Sequence, residues 1–152
     1  MKRIATKLWV YLFCPIWSFF INLGYVIFNL SKYNYVKEQK IILLSNSLED
    51  CMSKFKWKED NLKDWYKWVS VLIIHNFIGD CDDAARLSKF WFKQNGVESE
   101  ILNLYSDKEG HTVCVTKNRE TMVTNERVVN LNPTCWEKEM LEYFGNKYTI
   151  VI

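Results

Sequence analysis

A chain of 152 residues with 49% hydrophobic and 25% charged side chains can bury a core, which excludes a disordered tail or a fibrous repeat. The net charge is only +2, and no basic stripe with interleaved aromatics occurs, which argues against nucleic-acid binding. The five cysteines are odd in number and widely spaced, with no Cys-x-x-Cys pair, which argues against a disulfide framework and a structural zinc site.

After a basic lead, "MKRIATK", the chain carries no charge from residue 8 to residue 30. As a helix this stretch reaches roughly 34 Å, enough for a hydrocarbon core of about 30 Å. Trp9, Tyr11, Tyr25, Tyr33 and Tyr35 lie near its ends, where interfacial aromatics belong. It is long for a signal peptide and no small-x-small cleavage site follows, so the expectation is an uncleaved single-span membrane anchor. Lys2, Arg3 and Lys7 before it balance Lys32, Lys37 and Lys40 after it, leaving its orientation open. Pro15, Ser18, Asn22 and Asn29 dilute the run, and a helix packed on the domain is the alternative.

"SKYNYVKEQK", 31–40, reads as a connector. Ile41, Leu44, Leu48 and Cys51 or Met52 recur at helical spacing, and the charged "KWKEDN" reads as a loop. Leu62, Trp65, Tyr66, Val69, Leu72 and Ile73 predict a helix over 62–75, broken by "HNFIGD". A second helix begins at about Cys81 and ends at Gly96, with Ala84 and Ala85 allowing close approach to another layer. Thereafter the period becomes two. "ESEILNLYS" and "HTVCVTK" predict a hairpin around the turn "DKEG"; "ETMVT", "ERVVNLN" and "KYTIVI" are further strands, with a short helix over 135–144. Helices first, then a mostly antiparallel sheet: the class is α+β.

The chemistry centres on "GDCDDAA", 79–85. A helix N-terminus favours a thiolate, and its free N–H groups can hold an oxyanion, so Cys81 is a candidate nucleophile. The base must come from His75 or His111. His111 starts a strand at the rim of the sheet, whereas His75 ends an apolar helix and reads better as a C-terminal cap. A third group should orient the imidazole, and Asn130 and Asn132 share one face of a neighbouring strand. Asp80, Asp82 and Asp83 crowd the cysteine with negative charge, which opposes the helix dipole. Adjacent acids on a helix diverge, so no metal site is expected, and nothing calls for a cofactor.

The stretch "GDCDDAARLSKFWFKQNGVESE…GHTVCV…VVNLNPT" resembles the transglutaminase-like superfamily, in particular its small bacterial and phage cysteine-peptidase-like members. The resemblance covers roughly residues 55–135 and implies a papain-like core. It matches Cys81 to the nucleophile, His111 to the general base and acid, and Asn132 to the orienting residue. It divides the chain into a hydrophobic segment at 1–31, a connector and helix at 32–54, and a transglutaminase-like domain at 55–152. It implies thiol-dependent acyl transfer on a peptide or carboxamide, hydrolysis more readily than crosslinking. The alternative is a papain-like module with a weak or inactive site that binds a peptide or protein, again at a membrane through 8–30. Substrate identity and oligomeric state are not legible in the sequence.

Overall fold

The computed structural model describes residues 14–29, 47–59, 67, 69–74, 76–125 and 127–151. The chain is α+β, with its main helix packed across an antiparallel sheet. In chain order the elements are α1 (Cys14–Phe28), α2 (Leu48–Ser53), β1 (Lys56–Trp57), α3 (Val69–Ile74), β2 (Ile78–Gly79) and α4 (Cys81–Gln94). Then come β3 (Ser99–Tyr105), β4 (Gly110–Thr116), β5 (Thr121–Thr124), β6 (Arg127–Asn130), α5 (Trp136–Tyr143) and β7 (Thr149–Val151).

The sheet runs β6-β5-β4-β3-β7, each neighbouring pair antiparallel. Period-two alternation sends its side chains to two separate cores. On one face Cys114 and Val123 pack under Ala84, Ala85, Leu87 and Phe92 of α4, with Leu48, Cys51 and Met52 of α2. On the other, Leu102, Leu104, Val113, Val115 and Met122 pack against Met140 of α5. Alanines at 84 and 85 keep the start of α4 close to the sheet. Its far end stops in a Schellman motif: Val97 N–H bonds to the Phe92 carbonyl, Gly96 N–H to that of Lys93, and Gly96 takes φ +70°.

Two expectations change. "KWKEDN" is not wholly a loop, because Lys56–Trp57 pairs in parallel with Ile78–Gly79. Strands of two residues are too short to carry a period, so the sequence does not reveal them. Of the helix expected over 62–75, residues 69–74 form α3 and Lys67 is not helical; residues 60–66, Trp68 and His75 lie outside the described residues.

The segment before α4 is fixed by a buried ion pair. Lys67 Nζ lies 2.6 Å from Asp83 Oδ2, and the Lys67 backbone N–H donates to Asp83 Oδ1. Gly79 lies so close to the Asp83 carboxylate that a Cβ there would collide with it. Glycine at 79 is thus a requirement of close approach, and it brings β2 into the start of α4 at the right angle.

α1 is built inside out. Ser18, Asn22 and Val26, spaced four residues apart, are its buried seam, with Val26 against Val71 of α3. Asn22 Nδ2 donates to the Ser18 carbonyl at 2.6 Å, so the polar seam is satisfied. Ile16, Trp17, Phe20, Ile27 and Phe28 point outward, Phe28 with 89% of its surface exposed. No helix among the described residues is long and apolar enough to cross a membrane, and residues 8–13 and 30 of the expected span lie outside them.

Candidate functional site

The site is a missing rung in the sheet. Backbone bonds from Lys117 N–H to Glu98 O and from Ser106 N–H to Glu109 O set the phase of the β3–β4 ladder. Antiparallel pairs alternate, so His111, Val113 and Val115 aim their N–H groups at β3, while Thr112, Cys114 and Thr116 aim theirs at β5. On the β5 side Cys114 pairs with Val123. The next rung toward the hairpin end joins Thr112 to Asn125, but Asn125 turns away at φ 48° and that rung does not form. The Thr112 N–H instead faces the Cys81 sulfur, as does its hydroxyl.

Cys81 is the first residue of α4, half-buried, with Asp80 at the N-cap. Burial pushes its thiol up to about 11, and the Asp80 and Asp82 charges add to this. The Thr112 N–H and hydroxyl pull the other way without winning. The resting group is therefore a neutral thiol.

The acids do not diverge as expected. Asp80 stands at the N-cap position, just outside the first turn and without a side-chain cap bond, and ligating atoms of Asp80, Cys81 and Asp82 all lie within 4.8 Å of one another. Burial raises the Asp82 carboxyl far above the usual range, helped by its hydrogen bond to Asp80 and by the Asp80 charge. The Arg86 guanidinium, 3.9 Å from Asp82 Oδ2, opposes this without winning. Asp83 points away to Lys67; burial lifts it to about 6 against the pull of the lysine.

His111 reaches the same rim from the opposite face of the sheet. Its Nε2 lies 2.7 Å from Thr124 Oγ1, and its ring meets Phe144 edge-on at 5.0 Å. Burial lowers its pKa, while the Glu109 charge acts to raise it. Tyr148 links the two sides. Its ring centroid is 6.2 Å from that of His111, its hydroxyl donates to Glu109 Oε1 at 2.8 Å, and Cys81 is near enough for its thiolate, once formed, to act on it. Burial, then the Glu109 bond and charge, hold the Tyr148 phenol at about 12.

Asn132 is not part of this cluster. β6 runs from Arg127, opposite Thr124, to Asn130, opposite Thr121, so both asparagines lie at the far end of the strands from His111. Three residues of strand separate the ends, roughly 10 Å. Asn132 Oδ1 accepts from the Thr134 N–H and hydroxyl, and its own N–H donates to Glu139, a turn that starts α5. Thr124 is the residue that bonds the imidazole.

Beside His111 opens a cavity of about 410 Å³, lined among others by Thr124, Asn125, Arg127, Tyr143 and Phe144. Sequence reasoning missed Thr124, Asn125, Arg127 and Tyr148. The available signal was "TNER", a polar turn after an alternating strand, which ends β5 beside the histidine. Comparison with protein-family models, with curated proteins and with solved structures gives no match for this chain.

Proposed function

We propose that the rim performs thiol-dependent acyl transfer, with Cys81 as nucleophile, His111 as general base and acid, and Thr124 orienting the imidazole. What supports this reading is Cys81 at the start of α4 facing the Thr112 N–H, with His111 the adjacent residue of β4 and its Nε2 engaged by Thr124. With Nε2–H donating to Thr124, Nδ1 carries the free lone pair that a base needs. A neutral thiol beside a neutral imidazole cannot act as a preformed ion pair. The proton moves from sulfur to His111 as the C–S bond forms, then passes to the leaving amine; water then releases the acid by the reverse path. The N–H groups opening α4 are suited to the oxyanion. The transglutaminase-like resemblance of "GDCDDAA" and "GHTVCV" agrees with peptide or amide hydrolysis.

The test is acylation by an acetylated peptide p-nitrophenyl ester. The expected result is a burst of nitrophenolate and one acyl group on Cys81 by mass spectrometry, absent in Cys81→Ala. The rate falls by about 10²–10⁴ in His111→Ala and by a smaller factor in Thr124→Val. If His111→Ala acylates as fast as the parent, acyl transfer is wrong.

A second reading has its own support. A thiol pushed up to about 11 and an imidazole bonded by an uncharged hydroxyl suit a module that binds a peptide without turning it over. In either case the outward rings of α1 support attachment to a membrane surface.

A further inference from the structure

The cavity beside His111 holds two polar groups that the fold leaves unused. Arg127 is exposed on the edge strand β6 and forms no ion pair among the described residues. Asn125 Oδ1 is buried yet accepts no hydrogen bond. A buried acceptor without a donor is costly, so a ligand that supplies an N–H recovers that loss on binding. An unpaired guanidinium offers a planar fork that fits a carboxylate through two parallel bonds. The rings of Tyr143, Phe144 and Tyr148 line the same cavity and give it an apolar wall. A cation, an orphan acceptor and an aromatic wall in one cavity define a ligand with a carboxylate, an N–H and an apolar side chain. A peptide segment has all three.

We infer that this cavity is a peptide subsite selective for a carboxylate, which Arg127 pairs while Asn125 Oδ1 accepts a backbone N–H of the same peptide. The inference rests on the acyl-transfer reading for its setting, since it names the substrate class of that rim. The carboxylate comes from an acidic side chain or from a free C-terminus. Sulfate or phosphate would satisfy Arg127 but would leave Asn125 without its donor.

Binding is measured on the full chain in detergent with Cys81→Ala, so that the result stands apart from turnover. The probes are three acetylated tripeptides: Ala-Phe-Glu amide, Ala-Phe-Gln amide, and Ala-Phe-Gln with a free C-terminus. Titration calorimetry gives the affinities, and the His111 ring signals in NMR report occupancy of the cavity. The expected result is that one carboxylate probe binds at least about tenfold tighter than Ala-Phe-Gln amide. Which of the two does so identifies the source of the carboxylate. Arg127→Gln removes the preference and Asn125→Ala weakens all three probes. Equal binding of the three, no binding at millimolar concentration, or a preference that survives Arg127→Gln overturns the inference. None of these outcomes alters the ester-acylation result, so the two readings fail separately.

Discussion

Asp82 keeps a proton in the folded chain that it loses on unfolding, because burial and the Asp80 carboxyl oppose its ionisation. A folded pKa above the unfolded value means the stability of the protonated form is fully present below about pH 3.9 and is lost as pH rises. Asp82→Asn removes that linkage. The variant is expected to be more stable than the parent at pH 7 by roughly 1–3 kcal/mol, after discount for its partial exposure, with the gain vanishing near pH 4. Urea unfolding at the two pH values checks this, and an equal effect at both would refute the raised Asp82 carboxyl. At this scale, how much the sequence reveals depends on the reach of each signal. Cys81 and His111 stand out because a helix start and a strand start are local patterns. Thr124 does not, because its bond to His111 depends on how β4 and β5 are aligned. The match to Asn132 used order along the chain, and β6 carries that residue to the wrong end.

The join between β2 and α4 depends on one buried pair. Lys67 and Asp83 are almost wholly shielded from water, with side-chain exposures of 1% and 0%. Removing one partner leaves the other charge buried and uncompensated. Asp83→Asn is therefore expected to cost about 3–5 kcal/mol, and Lys67→Met with Asp83→Leu much less. Thermal or denaturant unfolding of the three chains decides this; a double variant as damaged as the single one would contradict it. No periodicity in the sequence announces this pair, since the partners lie sixteen positions apart with α3 and β2 between them. The elements with clear patterns are closer to expectation. The helix over 136–143 and the hairpin of β3 and β4 lie within a residue or two of where alternation and turn residues place them.

Taken whole, the molecule shows water a face that helices usually hide. Seven large apolar side chains of α1 are exposed while its asparagine and serine are buried. Each Phe or Ile transferred to lipid contributes about 1.5–3 kcal/mol. The full chain should float with vesicles of mixed anionic and zwitterionic lipid, and Phe20→Asp with Ile27→Asp should weaken this at least about tenfold. Unchanged flotation would sink the assignment of α1 to the membrane surface. The outward orientation of α1 could not be read from an uncharged run, in which every residue suits lipid equally. The two cores have another consequence. Cys81 opens α4 on one face of the sheet and His111 lies on the other, against Phe144 after α5, so their relative position is set through the sheet between them. On the acyl-transfer proposal, a small slip of one layer over the sheet would change how thiol and imidazole are placed while both interiors stay dry and every helix stays wound. Turnover should accordingly fade on warming some degrees before the cooperative melt, making activity the more sensitive thermometer of this fold.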